Sequence, residues 1–154
     1  MGRKIFKKMN KVVLLVIYIN FLQTQIIDLN ENQNKNNNLV LDKAIEDYTK
    51  LQKKYSDNKN INFNLGNLLY ANNNLDQAIK EFNKSLEIDN NKLKSESYYN
   101  LGNVYYKSGD LENSLNHYRK ALELNPNDYD AIHNYELVQK IQKQQENSEQ
   151  QDES

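Results

Sequence analysis

The feature that most constrains this chain is an internal repeat. The block Phe63–Tyr70, FNLGNLLY, returns 36 residues later as YNLGNVYY over Tyr99–Tyr106. The agreement continues at the same offset, where residues 75–88 align with residues 111–124. A repeat of this length predicts a stacked array of one supersecondary unit, because each unit can bury its apolar face only against its neighbours.

Each repeat has two segments with apolar residues at helical spacing. A short polar triplet separates the two segments, Asn72-Asn73-Asn74 in the first repeat and Ser108-Gly109-Asp110 in the second. Asn and Gly adopt the left-handed backbone conformation more readily than other residues. We therefore predict a helix, a tight turn and a second helix in each repeat.

Small and aromatic residues recur at fixed places in both repeats. Small residues are needed where two helices touch closely, a large aromatic fills the gap between them, and a proline stops the second helix. These positions are Leu65, Gly66, Ala78 and Phe82 in the first repeat, and Leu101, Gly102, Ser114, Tyr118, Ala121 and Pro126 in the second. At these positions the chain resembles the tetratricopeptide repeat family, whose repeating unit is a 34-residue helix–turn–helix. The resemblance implies an all-α fold, a short α-solenoid of antiparallel helix pairs.

The 34-residue spacing of the family also predicts how the rest of the chain is divided into segments. The second repeat begins two residues late, and Ser85 stands where alanine is usual in the family. Counting back by 34 residues makes Ala44 and Tyr48 the small and aromatic residues of a second helix, but the Asn-rich segment before that helix has no apolar face to form its partner. Glu136 replaces the glycine of the two repeats, so the last helix is expected to act as a cap. The predicted segments are an Asn-rich linker at 28–38, a half repeat at 39–58, full repeats at 59–92 and 95–128, a capping helix at 129–144 and a disordered tail at 145–154.

Residues 1–27 are predicted to be a signal peptide or an uncleaved signal-anchor. They carry five basic residues and no acid, followed by an apolar run over residues 12–22 that one Asn interrupts. This order is typical of a secretory signal, and either Met1 or Met9 could be the start. The basic residues would stay in the cytoplasm, so the repeats would face the periplasm of a bacterial inner membrane or be exported. The alternative is a helix packed against the repeats in a cytoplasmic protein.

Several function classes are disfavoured by composition. Outside residues 1–27 the chain is acidic, which argues against nucleic-acid binding. It contains no cysteine, and His117 and His133 are its only histidines, without a metal-binding spacing. We therefore expect no catalytic site, metal, cofactor or small-molecule substrate.

The resemblance implies that the first helix of each repeat lines the surface that binds partner proteins. Asn64, Asn100 and Asn134 share one register there, and stacked amides can donate to and accept from an extended peptide backbone. Asn makes up 27 of the 154 residues, so composition alone accounts for part of this alignment. Phe63 and Tyr99 stand where family members that bind a free C-terminal carboxylate carry basic groups. The candidate partner-binding residues are Phe63, Asn64, Asn67, Tyr70, Tyr99, Asn100, Asn103, Tyr106, His133 and Asn134.

The overall order of segments is similar to the small tetratricopeptide proteins of bacterial Bat (aerotolerance-type) clusters. That resemblance implies a membrane-associated, non-catalytic scaffold that works beside von Willebrand A-type proteins and a MoxR-type ATPase. It depends mainly on the order of segments and on the stretch from Pro126 to Leu137. The alternative function is a cytosolic co-chaperone or adaptor.

Overall fold

The computed structural model describes the backbone of residues 2–152 and the side chains of residues 21–148. Over this range the chain is all α-helical, with no strand among the described residues. The helices are α1 (Gly2–Lys54), α2 (Lys59–Ala71), α3 (Leu75–Ser85), α4 (Asn91–Ser108), α5 (Leu111–Leu124) and α6 (Tyr129–Asp152).

The chain divides into two units, Met1–Leu41 and Asp42–Ser154. In the first unit, every side chain from residue 21 to residue 40 is exposed. The predicted linker at 28–38 is helical, so it is not an irregular segment, although it buries none of its side chains. Asn has only modest helix propensity, but this segment contains no Gly or Pro to stop a helix.

The signal or anchor prediction depends mainly on residues 1–20, whose side chains lie outside the described part of the chain. Among the residues that are described, no helical stretch combines the length and the apolar content needed to cross a bilayer.

The second unit contains two helix pairs, α2 with α3 and α4 with α5, flanked by the last part of α1 and by α6. Both predicted turns are confirmed, because Asn73 (φ 60°) and Gly109 (φ 85°) have left-handed backbones. The first helix of the second repeat is longer than that of the first, since α4 has 18 residues and α2 has 13, and the two extra residues before the second repeat account for only part of this difference. Asn90 caps α4 by accepting a hydrogen bond from the Leu93 amide at 3.1 Å.

The core follows the contact between the two helices of each pair. Phe82 and Tyr118 are fully buried, and each ring lies over the glycine of the facing first helix. Leu65 and Leu101 are also buried, whereas Tyr98 and Tyr105 are half-buried beside them. The small positions Ala78, Ser114 and Ala121 have no exposed surface.

The serine at the usual alanine position makes a buried polar contact. The hydroxyls of Ser85 and Ser97 lie 2.7 Å apart, and neither residue is exposed. Ser85 also donates to the carbonyl of Phe82 at 2.6 Å, so this contact between α3 and α4 leaves no hydroxyl unpaired.

The last helix begins at Tyr129, directly after a turn that contains Pro126, and packs its buried Ala131 and Val138 against the preceding pair. It continues to Asp152, so the tail that was predicted to be disordered is helical up to that residue. Gln, Glu and Lys, which dominate this stretch, are all good helix formers, and neither Gly nor Pro interrupts it.

Candidate functional site

The candidate site is the surface formed by the first helices α2, α4 and α6, called here the first-helix face. On α2 and α4 most of these residues are three or four apart, so their side chains lie on one side of the helix, whereas α6 contributes two adjacent residues. Its residues are Phe63, Asn64, Asn67 and Tyr70 from α2, Tyr99, Asn100, Asn103 and Tyr106 from α4, and His133 and Asn134 from α6.

Hydrogen bonds between amides connect the three helices of this face. Asn100 Nδ2 donates to Asn67 Oδ1 at 2.9 Å, which joins α4 to α2. Asn134 Nδ2 donates to Asn103 Oδ1 at 3.1 Å, which joins α6 to α4. The same Asn134 nitrogen donates to the Tyr99 hydroxyl at 3.2 Å. The amides therefore have fixed positions relative to one another.

Because of these bonds, not every amide group of the first-helix face is free to bind a partner. Asn103 Oδ1 also accepts from the Tyr118 hydroxyl at 2.6 Å, so both of its lone pairs are occupied. Asn134 uses both of its N–H groups as donors. Within the described residues, Asn67 and Asn103 keep unpaired NH₂ groups, and Asn100 and Asn134 keep unpaired carbonyl oxygens. The face therefore presents donors and acceptors in alternation.

The aromatic residues of the face differ in their availability. Phe63 packs edge-on against Phe82 with ring centroids 6.1 Å apart, and Tyr99 packs against Tyr118 at 5.9 Å, so both contribute to the core. Tyr106 is 39% exposed and His133 is also exposed. These last two can contact a partner without any rearrangement of the core.

Two phenols of this region are held in their neutral form. Burial raises the pKa of Tyr118 well above its usual range, and its hydroxyl therefore stays available as the donor to Asn103. Burial also raises the pKa of Tyr70, and the ammonium of Lys107 lies 4.9 Å from the centroid of that ring. A cation over an aromatic face is stabilised by the ring quadrupole, so Lys107 is positioned beside the face.

A shallow pocket of about 240 Å³ lies at the α2 end of this face, lined by Tyr48, Asn64, Asn67 and Leu68. Sequence reasoning did not assign Tyr48 or Leu68 to a site. A second pocket, of about 190 Å³, lies between the last part of α1, α2 and α3. The part of the chain with described side chains contains no group of three or more metal-ligating residues.

Residues 66–128 are covered by two overlapping matches to family models. The model described as tetratricopeptide repeat matches residues 95–128, and a second, described as TPR repeat, matches residues 66–109. These matches support tetratricopeptide repeats in this part of the chain. No curated protein matches the chain.

Solved structures support the same fold. A crystal structure of MamA is 26% identical with a TM-score of 0.59, and the match covers 64% of this chain and 56% of MamA. The TPR2AB-domain:pHSP90 complex of yeast Sti1 is 26% identical with a TM-score of 0.63, over 69% of this chain and 42% of that one. The first TPR of Spaghetti (RPAP3), bound to the HSP90 peptide SRMEEVD, is 21% identical with a TM-score of 0.61, over 66% of this chain and 79% of that one. At 21% identity, the similarity to the Spaghetti (RPAP3) domain shows a shared fold alone.

Proposed function

We propose that this protein is a non-catalytic scaffold that binds segments of partner proteins on its first-helix face. The observation that carries the proposal is the row of hydrogen-bonded amides that runs across α2, α4 and α6. Tetratricopeptide repeats are interaction modules, and two of the similar solved structures are complexes with HSP90 sequences.

The arrangement suits an extended polypeptide. An extended backbone presents N–H and C=O groups in alternation, as the unpaired NH₂ groups of Asn67 and Asn103 alternate with the unpaired oxygens of Asn100 and Asn134. Because the amides are held by their neighbours, little side-chain entropy is lost when they bind. Tyr106 adds apolar contact area through a side chain with few rotatable bonds. Binding would therefore depend weakly on the partner's side chains.

The cellular setting we propose is a bacterial Bat-type (aerotolerance) complex, anchored in the inner membrane with the repeats facing the periplasm. Von Willebrand A-type membrane proteins would be the partners. Support comes from the sequence, in which a basic segment and an apolar run precede the repeats.

A cytosolic co-chaperone is the second candidate. It is favoured by the 26% identity to the yeast Sti1 domain, whose structure is an HSP90 complex. Phe63 and Tyr99 oppose it, because they occupy the positions where carboxylate-binding members carry basic groups. Fractionation of expressing cells separates the two candidates, since the anchored scaffold requires the full chain in the membrane pellet.

Site-specific photo-crosslinking tests the binding face. A benzophenone amino acid at Tyr106 should form adducts with partner proteins in cells, because this position is exposed on the face. The same group at Lys80, an exposed position of the second helix α3, serves as the matched control. Adducts at Tyr106 but not at Lys80 support the proposal. Equal adduct formation at both positions contradicts it.

A further inference from the structure

Two phenols bond to the amide pair that joins α4 to α6, which consists of Asn103 and Asn134 and is called here the α4–α6 pair. The Tyr118 hydroxyl donates to Asn103 Oδ1 at 2.6 Å. The Tyr99 hydroxyl accepts from Asn134 Nδ2 at 3.2 Å. With the 3.1 Å bond from Asn134 to Asn103, these contacts make one continuous chain of hydrogen bonds through four side chains.

The amide pair that joins α2 to α4, Asn67 with Asn100, has no such phenols and is called here the α2–α4 pair. The residues that stand 36 positions before the two tyrosines are Phe82 and Phe63. The ring centroids of these phenylalanines lie 6.1 Å apart, close to the 5.9 Å between the two tyrosine rings. The aromatic rings are therefore similarly spaced in both places, and the chemical difference between them is the two hydroxyl groups.

The buried hydroxyl of Tyr118 decides which way the amides of the α4–α6 pair face. Tyr118 has no exposed surface, so its O–H group needs an acceptor within the protein. If both amides of the pair were flipped, so that nitrogen and oxygen exchanged places, this O–H group would meet the NH₂ of Asn103 and lose its acceptor. Burial also raises the pKa of Tyr118, so the phenol keeps its proton at neutral pH. The orientation with Asn103 Oδ1 towards Tyr118 is therefore favoured.

No hydroxyl selects an orientation for the α2–α4 pair. In the structure Asn100 donates to Asn67, and if both amides flip together, Asn67 donates to Asn100 and the pair keeps its hydrogen bond. This pair can therefore offer a partner either order of donor and acceptor. The α4–α6 pair offers one order, in which the NH₂ of Asn103 and the oxygen of Asn134 are unpaired among the described residues.

We propose that Tyr118 is a positioning residue of the first-helix face, whose hydroxyl fixes Asn103 as the donor for a partner carbonyl and Asn134 as the acceptor for a partner N–H. The inference rests on the proposed function, because it names the backbone groups that the α4–α6 pair binds. A segment that presents an N–H group to Asn103 is disfavoured, since two donors would then meet. Tyr118 thereby sets the register of an extended partner, and the α2–α4 pair adapts to it.

Hydrogen exchange of side-chain NH₂ groups, measured by NMR on the full chain without a partner, tests the orientation. Asn134 donates two hydrogen bonds through its NH₂ group, whereas the NH₂ group of Asn103 donates none among the described residues. The NH₂ group of Asn103 should therefore exchange at least about threefold faster than that of Asn134. Tyr118→Phe should move this ratio of rates towards one, because both orientations of the pair then become populated. A merely structural loss would speed both rates and leave their ratio unchanged.

Phe82→Tyr is the converse variant, because it places a hydroxyl beside the α2–α4 pair at the position that Tyr118 has in the second repeat. The new hydroxyl should hold Asn67 Oδ1 as its acceptor and so select one orientation of this pair. The NH₂ group of Asn67 should then exchange faster relative to that of Asn100 than it does in the parent protein.

Tyr98→Phe is the matched control for Tyr118→Phe. It removes the hydroxyl of a half-buried tyrosine of α4 whose ring lies beside His117. The ratio of the Asn103 and Asn134 exchange rates should be the same in this control as in the parent protein. An unchanged ratio in Tyr118→Phe would overturn the proposal, and so would an equal change of the ratio in the control.

Photo-crosslinking in cells tests whether a partner recognises this orientation. In the full chain, a benzophenone amino acid at Tyr106 is combined with Tyr118→Phe or with Tyr98→Phe. The yield of adducts should fall by about twofold or more in Tyr118→Phe, because the competent orientation of Asn103 is then populated only in part. An unchanged yield would contradict the role of Tyr118 in recognition. If the parent protein forms no adducts, the proposed function is contradicted, whereas the orientation of the amides is measured by NMR without a partner.

Discussion

At the residue scale, two glycines set how closely the helices of each repeat approach. A Cβ atom on Gly66 or Gly102 would lie well inside the contact distance of the Phe82 or Tyr118 ring. Glycine in the interior of a helix costs backbone entropy, about 0.5–1 kcal/mol relative to alanine. That cost is offset here by the close packing of a fully buried aromatic ring.

Gly102→Leu should therefore lower the free energy of unfolding by roughly 1–3 kcal/mol, because the Tyr118 ring has to move. Thermal or urea denaturation followed by circular dichroism measures the change. Lys92→Leu places the same side chain at an exposed position of the same helix and should have little effect. If Gly102→Leu has the same melting temperature as the parent protein, Gly102 does not pack closely against the Tyr118 ring.

His117 is a second residue with a testable role. Its ring stacks on Tyr105 with centroids 4.9 Å apart, and its Nδ1 atom lies 2.7 Å from the carbonyl oxygen of Asn113. Burial lowers the pKa of His117 below the usual value of 6.5, and Lys120 adds to the effect, whereas the hydrogen bond with the Asn113 carbonyl and the charge of Asp110 oppose it. Folding therefore favours the neutral form of this imidazole.

This lowered pKa gives a pH dependence of stability with a definite sign. Below about pH 6.5 the unfolded chain binds a proton at His117 more readily than the folded chain, so stability falls as the pH decreases through this value. The melting temperature should decrease from about pH 7.5 to about pH 5.5. His117→Phe keeps an aromatic ring over Tyr105 but cannot titrate, and should show a smaller decrease. An equal decrease in melting temperature in both proteins would exclude His117 as the source of the pH dependence.

At the scale of elements, a buried carboxylate joins three helices. Glu81 of α3 is 8% exposed and accepts hydrogen bonds from Gln52 of α1 at 2.5 Å and Asn62 of α2 at 2.8 Å. Lys84 lies 2.7 Å from its other oxygen. The half repeat is thus connected to the first full repeat by polar as well as apolar contacts.

Glu81→Ala should lower the free energy of unfolding by about 1–3 kcal/mol, because the amide of the buried Asn62 loses its acceptor. Chemical denaturation measures this loss. Glu87→Ala removes an exposed carboxylate that contacts Lys59, and this matched control should change stability little. Similar effects of the two substitutions would contradict a structural role for the Glu81 contacts.

The sequence predicted the helices of the full repeats well because their apolar periodicity, turn residues and repeat spacing all agree. It predicted the ends less well. The segments 28–38 and 145–152 have no apolar face, so periodicity gave no helix signal, yet both are helical and neither contains Gly or Pro. In these segments only local propensity distinguishes helix from coil.

The sequence also placed the asparagines of the candidate face in one register, but it did not predict which of them would bond to each other. The bond from Asn100 to Asn67 and the bond from Asn134 to Asn103 depend on how far each first helix is displaced along its neighbour. Repeat spacing does not specify that displacement. The pocket at Leu68 was missed for a related reason, since it depends on how α2 packs against the last part of α1.

At the scale of the whole molecule, the proposed location makes a prediction about topology. Five basic residues precede the apolar run, so under the proposed location the positive-inside rule predicts that these residues stay in the cytoplasm and that the repeats lie outside it. In a bacterial host, a reporter that requires export, such as a periplasmic phosphatase, should be active when fused after Ser154. Activity of a strictly cytoplasmic reporter at the same position would refute export.

The central claim is that the amides of the first-helix face bind an extended partner. The most direct measurement is a calorimetric titration of the repeat protein with a synthetic peptide of the segment captured by photo-crosslinking at Tyr106. The triple variant Asn64→Ala, Asn100→Ala, Asn134→Ala is compared with the outward-facing control Lys80→Ala, Glu112→Ala, and circular dichroism checks that helicity is retained. Each lost hydrogen bond is worth about 0.5–1.5 kcal/mol, so the triple variant should bind about tenfold or more weakly, while the control should bind like the parent. Unchanged affinity in a fully helical triple variant would contradict the account.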